Sequence, residues 1–171
     1  MTTVKIIELY NTNSNKLVNL LLNKSLFNYL VKKEKNLLIM ELITNVKREN
    51  KLYTDIKSEF QFDFPEFISN IVGDKSYSSI TREIFDLKKN TSKGIVKSKI
   101  FDLLKVKLTF KSDFHEIYEN FCQKNITFEI NCSLPVINKK IENIIAEKLQ
   151  ENGTIRTKLI SNWIDKKSIK N

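Results

Sequence analysis

The stretch that decides the fold is LPVINKKIENIIAEKLQENGTIRTKLISNWIDKK, from Leu134 to about Lys167. At 100° per residue its apolar side chains fall on one face, which is typical of an amphipathic helix; they are Ile137, Ile141, Ile144, Ile145, Leu149, Ile155, Leu159, Ile160 and Trp163. Pro135 is expected at the helix start, because its fixed φ is helix-compatible and a first-turn N–H lacks an intrahelical partner. The stretch predicts one helix roughly 45 Å long, which requires a long apolar surface to pack against.

The chain before this helix supplies such a surface. Its clearest pattern is residues 52–62, where Leu52, Ile56 and Phe60 alternate with polar side chains, as in an antiparallel sheet that is covered on one face. The other predicted strands are residues 2–10, 36–48, 77–87, 93–103, 105 to about 118 and 125–133. Two short helices are predicted at residues 16–22 and 26–31, and a small one within residues 64–73. Strands grouped between flanking helices indicate an α+β fold.

Three local features carry a resemblance to a known family. They are FPEFI at 64–68 leading to Gly73, CSLP at 132–135, and KIE at 140–142 with Trp163-Ile164 near the end of the helix. Together with the element order, they resemble the helix-grip fold of the START-like (SRPBCC, birch-pollen-allergen-like) superfamily, and most closely an uncharacterised, mostly bacterial branch. The sequence departs from that branch at residues 136–139, VINK, where glycines are often found. The resemblance implies a curved antiparallel sheet of about seven strands around the terminal helix, with an elongated apolar cavity between them.

Composition limits the classes of protein that fit. With 171 residues and 41% hydrophobic residues, residues 1–171 are predicted to form one globular domain. The net charge is +9, but only three basic residues are Arg, so a nucleic-acid partner is disfavoured and transient contact with an anionic membrane surface is the alternative. No signal-peptide pattern and no run of 18 apolar residues is present, so we expect a cytoplasmic protein. Cys122 and Cys132 have no metal-ligand spacing, and we expect neither a metal nor a cofactor.

Polar residues interrupt the apolar stripe of the terminal helix. Lys148, Asn152 and Arg156, at i, i+4 and i+8, lie on the same side as the isoleucines. One interpretation is that their stems cover the core while the charged groups reach water. The other is that they face a cavity and hold the polar or anionic end of a ligand, with Arg156 making a forked contact to phosphate or carboxylate.

Aromatic residues on several strands are the second set of candidates, and they are Phe60, Phe62, Phe85, Phe101, Phe110 and Phe128. Each of them is compatible with an ordinary packed core. As a set they are equally compatible with the wall of an apolar pocket, since core and cavity have the same composition. Phe60, Phe62 and Phe110 are the aromatic residues that we expect to contact a ligand.

His115 is the single histidine, and its neighbours Asp113 and Glu116 indicate a solvated surface. We therefore expect a non-enzymatic monomer that binds or transfers a hydrophobic, lipid-like molecule between the sheet and the terminal helix. One alternative is a cyclase- or aromatase-type enzyme on the same fold, which would need His115, Asp113 or Glu116 to point inward. Another is an interaction module with a filled core that binds acidic partners.

Overall fold

The computed structural model describes residues 1–61, 64–73 and 76–168. The elements in these ranges are β1 (Thr2–Tyr10), α1 (Ser14–Leu21), α2 (Lys24–Lys33), β2 (Leu37–Arg48), β3 (Lys51–Gln61), α3 (Glu66–Val72), β4 (Ser76–Asp86), β5 (Thr91–Ser98), α4 (Lys99–Leu103), β6 (Val106–Tyr118), β7 (Phe121–Cys132) and α5 (Asn138–Ser168). The predicted α+β architecture, with two short helices after the first strand and a long helix at the end, is confirmed.

The seven strands form one antiparallel sheet in the order β1-β7-β6-β5-β4-β3-β2. Consecutive strands from β2 to β7 are neighbours, whereas β1 pairs with β7, placing Thr2 opposite Ile130 and Tyr10 opposite Cys122. The first strand is therefore held next to the last, at the edge on which α5 packs.

One face of the curved sheet is directed towards α5. The alternation is clearest in β6, where Val106, Leu108, Phe110, Ser112 and Phe114 are buried and the residues between them are exposed or half-buried. This is the period-two pattern of a sheet covered on one side. The sheet and α5 thus enclose the interior of the molecule, as the sequence predicts.

The terminal helix begins later than its sequence pattern predicts. Residues 135–137 form a turn, and α5 starts at Asn138. Val136 is 99% exposed with φ at +70°, a left-handed conformation that a β-branched residue rarely adopts and that a right-handed helix cannot include. Pro135 therefore precedes the helix by three residues, and the expectation that it opens the helix is wrong.

A second difference is the helix α4, which follows β5 where the sequence pattern predicts strand to residue 103. The Ser98 side chain accepts a hydrogen bond from the backbone N–H of Phe101 at 3.1 Å and caps this helix. A serine in front of a hydrophobic segment is a known helix-start signal. The alternation of apolar residues obscured that signal, because five residues are too few to show a helical period.

Glu142, in the first turns of α5, is a buried carboxylate that ties the helix to two strands. Its side chain is 0% exposed and accepts hydrogen bonds from the Thr2 hydroxyl at 2.8 Å, the Cys132 backbone N–H at 3.0 Å and the Lys139 ammonium at 3.3 Å. The amine of Met1 lies 3.2 Å away. Burial alone raises the pKa of Glu142, but these donors outweigh it and lower the pKa to about 2.

We expect the substitution Glu142→Gln to lower the free energy of unfolding at pH 7 by roughly 2 kcal/mol, because it removes charge-assisted hydrogen bonds at a buried site. The folded-state pKa of about 2 lies below the ordinary value of 4.5, so the stabilisation is complete above pH 4.5 and is lost as the pH falls towards 2. Urea unfolding at pH 7 and pH 3 measures this. Glu147→Gln, at an exposed position of the same helix, is the control. If Glu142→Gln lowered the free energy of unfolding by the same amount at pH 7 and pH 3, the lowered pKa of Glu142 would be contradicted.

Candidate functional site

A cavity of about 290 Å³ lies between the sheet and α5. Side chains of all seven strands and of α1, α2, α4 and α5 line it. Most of them are apolar, among them Ile56, Leu108, Phe110, Ile126 and Phe128. The rings of Phe110 and Phe128 pack with their centroids 5.6 Å apart. We call this space the central cavity.

The structure places four of the six sequence-predicted site residues on the central cavity. Phe60, Phe110, Asn152 and Arg156 line it. Phe62 lies outside the described residues. Lys148 is not part of the lining: its side chain is 50% exposed and pairs with Glu151 at 2.8 Å. The side of α5 that faces the interior therefore carries Glu142, Gly153 and Ile164, and Lys148 lies outside it.

The guanidinium of Arg156 is paired with another side chain of the protein. Its Nε donates to Oε2 of Glu34 at 3.0 Å and its Nη2 to Oε1 at 2.7 Å, which is a bidentate pair. Glu34 is buried at the C-terminal end of α2, and the guanidinium lies 5.7 Å from the centroid of the Phe60 ring. An anionic ligand could take up this fork only by displacing Glu34.

Three charged residues that the sequence did not single out also line the central cavity. They are Glu8 on β1, Glu83 on β4 and Lys124 on β7. Glu83 accepts a 2.6 Å hydrogen bond from the Ser92 hydroxyl, which in turn contacts the Ser112 hydroxyl. Burial raises the pKa of Glu83, and the nearby Lys124 ammonium only partly offsets this. A carboxyl group of this kind can hold or release a proton inside an apolar wall.

The carboxylate of Glu8 is less completely hydrogen-bonded than that of Glu83. Lys124 Nζ lies 3.4 Å from its Oε2, yet this oxygen has no hydrogen-bond partner among the described residues. Tyr10, two residues along β1, has a buried hydroxyl in the same condition. Burial, followed by the charge of Glu8, raises the pKa of Tyr10 well above its usual value. Glu8 and Lys124 thus add charged groups to a mainly apolar wall, with the Tyr10 hydroxyl buried next to them on β1.

A signal for these residues is present in the sequence, but it is weak. Glu8 and Glu83 occupy inward positions of period-two strands, where a charge is unexpected. Lys124 could not be assigned to a face, because the last strand was predicted to start at residue 125 whereas β7 begins at Phe121. Register with β1, which sets Glu8 opposite Lys124, is a property of the folded sheet.

His115 and its acidic neighbours do not line the central cavity. His115 is exposed and hydrogen-bonded to Asp113, which also accepts from the Asn125 side chain at 2.8 Å. Glu116 accepts from the backbone N–H and the hydroxyl of Ser14 and so fixes the start of α1. The geometry that the enzyme alternative required of these three residues is not found.

Within the described ranges, no group of three or more His, Cys, Asp or Glu side chains comes together to hold a metal ion. No helix in the same ranges is long and apolar enough to cross a membrane.

The geometry of sheet, helix and cavity can be compared with known proteins. No protein-family model matches the chain. No curated protein sequence matches it either. Solved structures do match it over nearly the whole length. A START superfamily protein from Mycobacterium smegmatis is similar with a TM-score of 0.55 and 9% identity, covering 96% of this chain and 97% of that one.

Two enzymes have the same architecture. The Zhui aromatase/cyclase from Streptomyces sp. R1128 is similar with a TM-score of 0.64 and 7% identity, over 98% of this chain and 95% of that one. Norcoclaurine synthase from Thalictrum flavum, in complex with dopamine and hydroxybenzaldehyde, is similar with a TM-score of 0.60 and 13% identity, over 96% of this chain and 87% of that one. The chain has the START-like helix-grip fold, as its sequence predicts. Its assignment to one bacterial branch stays a prediction.

We expect the pair Arg156–Glu34 to stabilise the contact between α5 and α2. Arg156→Met should lower the free energy of unfolding by about 2 kcal/mol, because it leaves a buried carboxylate unpaired. In a double-mutant cycle with Glu34→Gln, the coupling energy should be about 1–2 kcal/mol. The exposed pair Lys148–Glu151 on the same helix is the control, with an expected coupling below about 0.5 kcal/mol. Equal coupling energies in the two cycles would show that the Arg156–Glu34 pair stabilises the protein no more than the exposed pair does.

Proposed function

We propose that this protein binds and transfers a small hydrophobic molecule in the central cavity. The observation that carries the proposal is the space of about 290 Å³ with mainly apolar walls between the sheet and α5. Ligand pockets are typically concave, mostly apolar and about 300–1,000 Å³ in volume, with few polar groups. A packed core of this size would not leave such a space, because protein interiors are close-packed.

The volume favours a compact ligand. At the lower end of the usual range, the central cavity suits one or two fused rings or a short chain better than a two-chain lipid. Norcoclaurine synthase, which shares the fold, was solved with two small aromatic molecules, dopamine and hydroxybenzaldehyde. That likeness supports a ligand of similar size here without identifying it.

The driving force would be the burial of apolar surface, at about 25 cal/mol per Å². Release would require α5 and α2 to separate, since Leu26 and Leu30 of α2 and Ile160 of α5 all line the central cavity. The Arg156–Glu34 pair links these two helices on the rim of that space. Breaking it is the step that we expect to limit exchange.

A second candidate function is proton-transfer catalysis in the same cavity. It is favoured by one observation, the buried Glu83 carboxyl with its raised pKa beside Lys124. A buried carboxyl group whose pKa is raised is suited to act as a general acid or base. A ligand that is altered by the wild-type protein but not by Glu83→Gln would favour this function over simple binding.

The remaining expectations from the sequence concern the membrane contacts, oligomeric state, location and domain organisation of the protein. Transient contact with anionic membranes, a monomeric state, a cytoplasmic location and the single domain over residues 1–171 stay predictions. An interaction module with a filled core is the alternative that the size of the central cavity argues against.

Filling the central cavity should abolish binding without unfolding the protein. Ser79 is buried on β4 and lines this space, whereas its neighbour Ser78 is exposed on the other face of the sheet. We expect Ser79→Phe to remove binding of naphthalene and of any molecule that co-purifies, because the ring takes up the ligand volume. Ser78→Phe is the matched control and should bind as the wild type does.

Native mass spectrometry and naphthalene titration followed by NMR measure this prediction. Unfolding curves of both variants establish that they are folded. Binding that persists in Ser79→Phe, or that is absent from the wild type, would contradict the proposal.

A further inference from the structure

We propose that the ligand carries a hydroxyl group, which binds beside the Glu8 carboxylate and the Lys124 ammonium in the central cavity. This inference rests on the proposed function and specifies the chemical class of the ligand. It assigns the ligand a neutral polar group, whereas one interpretation of Arg156 from the sequence was a contact with phosphate or carboxylate. The protein leaves part of the hydrogen-bonding capacity of Glu8 and Lys124 unused.

Glu8 is the first part of this site. The residue is 6% exposed, and its Oε2 has no hydrogen-bond partner in the described part of the chain. Its Oε1 is 3.3 Å from the Thr157 hydroxyl, but that hydroxyl is only 2.7 Å from the carbonyl oxygen of Gly153. A hydroxyl has one hydrogen, and the shorter contact takes it. A buried carboxylate with so little hydrogen bonding is costly unless another donor reaches it. The neighbouring Tyr10 hydroxyl is one such donor, since its interaction with Glu8 helps to raise the pKa of Tyr10, and a ligand hydroxyl is a second.

Lys124 is the second part. An ammonium has three donors, and the ion pair of Lys124 seen in the described ranges is the 3.4 Å contact with Glu8. The ring of Phe114 lies 5.8 Å from Nζ. The side chain is 15% exposed and lines the central cavity. It can therefore donate to a ligand atom located beside Glu8.

The charges around this point select against ions. Lys124 is paired with Glu8, and the Glu83 carboxyl group on the same wall is near enough to both for their charges to act on its ionisation. The positive charge of Arg156 is already matched by Glu34. A ligand carboxylate would face Glu8 and Glu83, and a ligand ammonium would face Lys124. A hydroxyl can donate to Glu8 and accept from Lys124 without adding a charge.

The rest of the wall makes this contact selective. Ile126 lies two residues from Lys124 on β7, and Ile6 lies two residues from Glu8 on β1; both line the central cavity. In an apolar surrounding a hydrogen bond is stronger and an unmatched polar group costs more. A ligand without a hydroxyl group would make no hydrogen bond to Glu8 or Lys124, so it would gain nothing from these two side chains.

Three probes of nearly equal size test the inference: naphthalene, 2-naphthol and 2-naphthoate, titrated at pH 7 and followed by NMR or calorimetry. In the wild-type protein we expect 2-naphthol to bind about tenfold more tightly than naphthalene, which corresponds to one net hydrogen bond. We expect 2-naphthoate to bind more weakly than either. These wild-type measurements require no variant to fold.

Two variants locate the contact. Glu8→Gln and Lys124→Met should each reduce the preference for 2-naphthol over naphthalene to about twofold or less, with naphthalene affinity retained. Lys5→Met, at an exposed position of β1 that faces away from the cavity, removes the same charge and should leave the preference unchanged.

The outcomes distinguish failure of the proposed function from failure of the hydroxyl inference. Absence of binding of both naphthalene and 2-naphthol would overturn the proposed function itself. Binding of naphthalene together with equal affinity for 2-naphthol, as a fixed water on Glu8 would cause, would overturn the hydroxyl inference alone. Tighter binding of 2-naphthoate would overturn it as well and would favour an anionic ligand.

Discussion

The buried carboxylate of Glu142 fixes the position of α5, and the interior of the protein depends on that position. Its bonds to Thr2 and to the backbone of Cys132 attach the first turns of the helix to β1 and β7, which are themselves paired. Further along, Gly153 allows close approach to the sheet, because a Cβ at this position would lie 2.7 Å from the Ile6 side chain. The helix is thereby fixed at its start and held close to β1, at the edge of the sheet formed by β1 and β7.

The central cavity follows from this arrangement. At its far end α5 is packed into the core by Ile160, Trp163 and Ile164, and Arg156 attaches it to α2. Between these two regions α5 lies over the inner face of the sheet, and small polar side chains such as Ser58 and Ser79 fill the space there incompletely. The molecule leaves apolar surface and the poorly bonded Glu8 carboxylate facing an open volume. An unfilled volume and a poorly hydrogen-bonded buried carboxylate both lower the free energy of unfolding. Both are expected in a protein whose interior is completed by a bound ligand.

Sequence reasoning identified part of the candidate site. Asn152 and Arg156 were noticed because they interrupt an apolar stripe, and they do line the central cavity. Lys148 shares their spacing but lies at the margin of the buried face, where Ile155 is also exposed. Hydrophobic periodicity locates a face only to within a side chain or so, because polar residues such as Glu142 can occupy its centre. Glu83 and Lys124 were missed, because one charge at an inward strand position is a weak signal and Lys124 lay outside the predicted last strand.

The sequence by itself determined the class of fold, the number of strands and the long terminal helix, because periods of 2 and 3.6 residues are local properties that any covered sheet or helix must show. It also determined that the walls would be rich in Phe, Ile and Leu. Only the tertiary structure decided that these walls leave a space between the sheet and α5, that Arg156 is paired with Glu34, and that Glu8 is paired with Lys124. These facts depend on contacts between residues more than 100 positions apart in the chain, and on volumes left over by packing, neither of which has a local pattern to read.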